Sequence, residues 1–344
     1  MSAARRVRDF LWASLPDNRL LALRPSDLGL KVEGSDLEPP VHQLYDELVE
    51  SGLRFRPHVW LSDEWFTPDG VPGIAAPFYL AHPRLRELEL DQMLEVEGGT
   101  HDWCMRILRH EAGHALDNAY RLYRRERYRE LFGSWHEPYP DSYKPKPYTK
   151  RFVIHLDLWY AQAHPAEDFA ETFAVWLNPQ SDWRRQYASW PAFRKLQYVD
   201  ELMAEVSASA PLVRTRRRTH TLRTLRHTLQ EHYEKKRAYS CHDSPGFYDR
   251  DLRRIFSDRK EFSRRPSAES FLESIRNDAR MMISRWTGAP QLTIDRTFAD
   301  MISRVGLLRL RLCKPIRQTK VDVMMMLSVQ TMNYLNDGKH RVVL

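Results

Sequence analysis

His110-Glu111-Ala112-Gly113-His114 places two imidazoles four residues apart, with a carboxylate beside the first. On a helix, positions i and i+4 share a face, so both rings can reach a single metal ion at about 2.0–2.1 Å. The intervening glutamate stands where a metal-bound water would sit and is suited to take its proton. Two neutral nitrogens leave zinc short of a tetrahedral set. A third protein ligand must come from elsewhere in the chain, with the fourth position open to water.

Downstream, Glu167 and Glu171 stand four apart in a segment made strongly apolar by Phe169, Ala170, Phe173, Ala174, Trp176 and Leu177. Carboxylates on so apolar a helix need partners, because unpaired buried charge is expensive. A metal and its histidines satisfy both. One carboxylate binds the ion; the other accepts the second ring N–H of a ligand histidine and fixes its tautomer. His164 and His155, three and twelve residues before Glu167, compete for the third ligand position.

The two motifs, His110-Glu111-x-Gly113-His114 and then Glu167-x-Phe169-Ala170-Glu171-x-Phe173, together resemble gluzincin-type zinc peptidases. The likeness is to the catalytic domain of anthrax lethal factor and to the bacterial Pro-Pro endopeptidases. Over about residues 40 to 205 it extends to a bacterial family of zinc-binding metallopeptidases. The resemblance implies one Zn2+ per chain, held by His110, His114 and Glu167, with Glu111 as general base. It implies Glu171 as the carboxylate behind a ligand histidine, the swapped assignment of the two glutamates being the alternative. Tyr160, seven residues before Glu167, is implied as the oxyanion donor; a packed aromatic beside Trp159 is the other reading.

The elements that must position these residues follow from periodicity. Trp103, Ile107, Leu108, Ala112 and Ala115 predict a buried helix over about 102–121. Gly113 weakens it by roughly 1 kcal/mol relative to Ala but lets another segment approach the metal side. Pro165 suits a first helical turn, and Asn178-Pro179 stops that helix. A helix is expected from Glu38 to about Ser51, and strands over 53–61, 74–80, 85–90 and 152–156. By position alone residues 74–80 read as an ordinary sheet strand; the alternative is an edge that holds an extended peptide by backbone pairing. Four prolines between 133 and 150 predict a stiff extended loop, which is either a connector packed on the surface or a wall of the cleft that brings His136, Tyr139, Tyr143 and Tyr148 toward substrate.

Composition sets the outer bounds. The 344 residues suffice for one large core or two smaller ones, and 42% are hydrophobic. No apolar run is long enough to span a membrane, and the N-terminus lacks a secretory hydrophobic stretch, so a cytoplasmic enzyme is expected. Cys104, Cys241 and Cys313 are too few and too scattered for a disulfide framework or a cysteine-type zinc site. A net charge of +7 owes much to Arg214, Arg216, Arg217, Arg218, Arg223 and Arg226, where Leu222, Leu225, Leu229 and Tyr233 fit one helical face. Further helices are expected over 267–286 and 295–312, and the final stretch, 320–335, carries a methionine-rich stripe suited to adaptable core.

The predicted fold is α+β: a zincin-like domain over residues 1–206, with a small twisted mixed sheet and active-site helices, then a basic, mainly helical region over 207–344. The expected activity is zinc-dependent hydrolysis of a peptide or protein substrate. One alternative is an inactive zincin scaffold whose basic C-terminal region binds nucleic acid or an acidic partner. Another is a zinc amidohydrolase acting on a nonribosomal or cell-wall peptide.

Overall fold

The computed structural model describes residues 10–140, 143, 145–146, 148–238 and 248–336. Cys241 and the first arginines lie outside the described residues. Chain contacts divide the described residues into two units: 10–92 with 96–234, and 93–95 with 235–238 and 248–336. The first unit therefore carries the metal motifs and also the arginine-rich stretch. The architecture is helix-rich, with two small sheets.

The first unit opens with α1 (Asp17–Leu21) and α2 (Glu38–Glu50). Prolines 39 and 40 occupy the first turn of α2, where a missing N–H does no harm. β1 (His58–Ser62) runs parallel to β2 (Gly73–Pro77), with Val59 opposite Ile74. On the other side of β2, Ala75 exchanges two backbone hydrogen bonds with Phe66, at 2.9 and 3.3 Å. β2 is thus flanked on both sides at Ala75, and all of its residues are buried. This supports the reading of an ordinary sheet strand over that of a free peptide-binding edge; the strand is shorter than 74–80, since the chain leaves extended geometry at Phe78 and turns as a 3-10 helix to Ala81.

The segment expected as a third strand is α3 (Pro83–Met93). Leu85 and Leu88, three apart, are fully buried, whereas Leu90 is 49% exposed, so the alternation of leucines had no sheet face behind it. α4 (His101–Tyr120) and α5 (Glu126–Phe132) follow. Residues 152–156 form no strand. The Ile154 N–H goes to the Tyr187 hydroxyl and the Leu156 N–H to the Glu171 carboxylate, so side chains take the place of a neighbouring strand. α6 (Pro165–Leu177), α7 (Trp183–Gln186) and α8 (Phe193–Ser207) complete the helical layer. Arg109 of α4 ties down Glu47 of α2 through two buried bonds of 2.7 Å.

Beyond α8 the arginine-rich stretch is not the expected helix. Regular helix begins only at α9 (Leu229–Ala238). Before it, three alternate side chains of β1 hold the backbone: His58 Nε2 lies 3.0 Å from the Arg217 carbonyl, Trp60 donates to Thr219 O at 2.9 Å, and Ser62 donates to His220 O at 2.7 Å. Leu222 and Leu225 are buried from turn conformations, which satisfies the apolar pattern without helical geometry.

The second unit contains α10 (Asp249–Ile255), β3 (Phe256–Ser257), α11 (Ala268–Thr287), α12 (Gln291–Leu307), β4 (Arg311–Leu312) and α13 (Ile316–Asn336). β3 and β4 pair antiparallel. Arg276 of α11 grips Asp295 of α12 at 2.9 and 2.7 Å. In α13, Val323 and Leu327 are buried while Met325 is exposed, so the methionine run contributes to only one side of the packing. Among the described residues no helix is long and apolar enough to cross a membrane.

Candidate metal centre

Two helices supply every group of the predicted centre. α4 is capped at its start by Thr100, whose hydroxyl accepts the Trp103 N–H, and ends where Arg121 turns left-handed. α6 begins at the Pro165 turn, where His164 Nδ1 accepts the Ala166 N–H. The helices meet at Gly113. A Cβ there would lie 2.9 Å from Ala170 Cα and 3.2 Å from both Ala170 O and Phe173 Cδ1. Replacing Gly113 with alanine would therefore push the two backbones apart. Overpacking of about 1–3 kcal/mol outweighs a helix-propensity gain of about 1 kcal/mol. We expect Gly113→Ala to lower the unfolding temperature and weaken metal binding together, measurable by thermal unfolding with and without zinc. A raised unfolding temperature would mean that α6 yields freely.

That close approach brings three donors together. His110 Nε2 and His114 Nε2 are 3.1 Å apart, and Glu167 Oε2 lies 3.1 Å from each. On the other side of the His110 ring, Nδ1 is 2.8 Å from Glu171 Oε1, whose second oxygen accepts the Leu156 N–H at 2.8 Å. With Nδ1–H given to Glu171, the neutral His110 ring turns a lone pair toward His114 and Glu167. Lone pairs meeting at that distance repel unless a proton or a metal ion lies among them, and a metal ion takes the place of the proton that the carboxylates otherwise hold there. A tetrahedral zinc set with bonds of about 2.0–2.1 Å holds its donors about 3.3 Å apart, so this triangle fits the ion.

The electrostatics point the same way. Burial opposes protonation of His110, yet Glu167 and Glu171 outweigh it and lift the imidazole to about 10. His114 is raised as well, burial again being overcome, here by Glu167. Burial also opposes ionisation of Glu167, but His114 and His110 hold its carboxyl well below the ordinary range. The buried pocket is built to hold positive charge among carboxylates, a role that a dication fills.

His164 and His155 are committed elsewhere. His164 Nε2 lies 2.8 Å from Glu137 O, and His155 Nε2 2.9 Å from Arg106 O. Glu111 stands outside the donor triangle: its Oε2 accepts the Thr67 hydroxyl at 2.8 Å. Asn118, two turns on along α4, accepts the Gly70 N–H and donates to Pro68 O and Val71 O, fixing the loop that carries Thr67. Tyr160 is buried with its ring 5.6 Å from that of His110. Burial and the charge of Glu167 push its phenol well above the usual range, so it keeps a proton to donate. Leu158 and Trp159, immediately before it, both adopt left-handed backbone, at φ 58 and 54, a strained pair that sets the direction of the tyrosine.

The proline-rich loop packs onto the centre. Tyr139 donates to Glu167 Oε1 at 2.6 Å and stacks on His164 at 3.9 Å. Tyr143 donates to Leu158 O at 2.9 Å, bracing the strained turn. His136 lies instead against Trp135 and Tyr123, and Tyr148 is 98% exposed.

Asp117, one turn beyond His114, is buried; burial pushes its carboxyl up to about 6 despite the Tyr123 N–H and the Tyr128 hydroxyl that it accepts. A folded value above the unfolded one favours the protonated native state. The associated stability is complete at low pH and is lost as pH rises through about 6. Across that window the loss approaches about 3 kcal/mol. Asp117→Asn is expected to flatten this slope, which denaturant titrations at pH 4, 5, 6 and 7 would show; equal slopes in both proteins would remove Asp117 from the account.

Residues 105–193 match the family model described as "Putative zinc-binding metallo-peptidase". The matched span begins within α4 and ends at the start of α8, and so contains all the histidines and glutamates of the donor cluster. No curated protein and no solved structure matches the chain.

Proposed function

We propose that the protein is a gluzincin-type zinc peptidase with a zincin-like core, in which His110, His114 and Glu167 hold one Zn2+. The observation that carries this reading is the 3.1 Å triangle of two Nε2 atoms and one carboxylate oxygen, backed by Glu171 on Nδ1. The family match across the same residues supports peptide-bond chemistry. When bound, zinc lowers the pKa of its water toward about 7 and polarises a carbonyl oxygen. Glu111, oriented by Thr67, takes the proton from the attacking water and passes it to the leaving amine. Tyr160 donates a hydrogen bond to the oxygen that becomes negative as the carbonyl is attacked. Glu171 keeps His110 in the tautomer that presents Nε2, and Tyr139 fixes the free oxygen of Glu167.

The test is direct. Elemental analysis of protein freed of loosely held ions should give zinc bound in the wild type, and a peptide library should be cleaved by it. Zinc-loaded protein that cleaves no member of a diverse library would favour the scaffold reading. In that case the exposed arginines at 214, 216, 217, 218, 223 and 226 become the place to look for an anionic partner.

A further inference from the structure

A second group of metal-binding side chains lies in the first unit. Asp63, His227 and His232 each direct a ligand atom to within 4.8 Å of the others. Their backbone positions are well fixed. Asp63 directly follows β1, whose last residue, Ser62, is held by the bond from its hydroxyl to His220 O at 2.7 Å. His227 and His232 flank the start of α9, which has a complete capping box: the Glu231 carboxylate accepts the Thr228 N–H at 2.7 Å, and the Thr228 hydroxyl accepts the Glu231 N–H at 3.2 Å. Leu229 N–H donates to Leu23 O at 2.8 Å, anchoring the same turn.

In such a cap, the residue before the cap and the one four places into the helix often form a hydrophobic staple. Here both staple positions are histidine. Their rings stack nearly parallel, 5.9 Å between centroids and 11° between planes. His232 is buried against Phe78. His227 Nε2 is shut off from solvent and has no hydrogen-bond partner among the described residues. Two aliphatic side chains would close the cap without burying ring nitrogens, so helix capping alone does not account for imidazoles at both positions beside a carboxylate.

We propose that Asp63, His227 and His232 form a second metal site, for a divalent transition ion of the zinc type. Two imidazoles and one carboxylate suit zinc and its neighbours and are a poor set for magnesium or calcium, which take oxygen donors. Bonded donors stand about 3.3 Å apart, so binding draws the partly exposed Asp63 toward the rings. The ion ties the loop after β1 to the start of α9. That loop reaches Thr67, the residue that orients Glu111, only four residues after Asp63. The site is a structural clamp independent of the His110–His114–Glu167 centre.

Zinc titration of the full-length chain against a chromophoric chelator tests the proposal. The wild type should bind two equivalents, and His227→Gln and Asp63→Asn should each bind one. Protein carrying His114→Ala and Glu167→Ala should still bind one equivalent and unfold at a higher temperature with zinc than without. Adding His227→Gln to that protein should abolish both effects. Circular dichroism establishes that each variant is folded; Asp63→Asn, at a partly exposed position, serves if the histidine variant is not. The proposal is overturned if folded His114→Ala/Glu167→Ala protein binds no zinc, or if zinc uptake is unchanged in both His227→Gln and Asp63→Asn. Loss of the first site alone leaves this result readable, so the two metal assignments fail separately.

Discussion

Glu111→Gln is expected to keep its zinc and lose turnover by about 10²–10⁴-fold, the range associated with a general acid–base group. The amide matches the carboxylate in shape, and its carbonyl oxygen can still accept the Thr67 hydroxyl that now meets Glu111 Oε2 at 2.8 Å. Glu111 is no part of the donor triangle, so the metal keeps its full set of protein ligands. What disappears is the ability to accept a proton from water and return it to the amine. Elemental analysis beside steady-state hydrolysis separates the two effects. Near-normal hydrolysis by the zinc-loaded variant would remove Glu111 from the base role, and loss of zinc would place it nearer the metal than proposed.

The second large effect concerns Glu167. Its Oε2 is 3.1 Å from both imidazoles and its Oε1 accepts the Tyr139 hydroxyl at 2.6 Å. Glu167→Ala removes one of the three proposed ligands, leaves two rings without a counter-charge and frees Tyr139 from its acceptor. Zinc should be largely lost at micromolar protein. Glu171→Gln is the matched comparison. Its side chain can still accept from His110 Nδ1, so metal affinity should fall by only about 10–100-fold, as for other outer partners of a ligand histidine. Competition titration of both variants gives the order. If Glu171→Gln loses the metal and Glu167→Ala retains it, the two carboxylates exchange roles.

The helices that carry this chemistry were readable because two signals coincide in each. In α4, apolar residues at spacings of three and four frame the histidines; in α6, Pro165 and Asn178 mark both ends of an apolar run. Gly113 was readable as a point of close approach, and Ala170 is what approaches it. Residues 85–90 went the other way: Leu88 and Leu90 alternate while Leu85 and Leu88 keep a helical spacing, and burial of the latter pair alone decides for helix. The arginine-rich stretch misled for a related reason, since Leu222 and Leu225 reach the core from turns that happen to keep a helical spacing. Thr67 and the Tyr139–Glu167 bond had no such signal. They depend on contacts across 44 and 28 residues, which no local periodicity records. The left-handed pair at Leu158 and Trp159 was equally silent, because neither residue type favours that backbone.

The bonds from His58, Trp60 and Ser62 to the carbonyls of residues 217, 219 and 220 have one more implication. A carbonyl is the same on every residue. The core grips this strip by a feature that substitution does not change, so the side chains of Arg217 and Thr219 are not what holds the backbone in place. Arg216, Arg217 and Arg218 lie in or beside this backbone-held run and are exposed, so their charge is free of the bonds that fix the chain there. The strip behaves as an interchangeable label on a fixed backing: replacing those arginines should alter the surface charge and leave the backbone path intact.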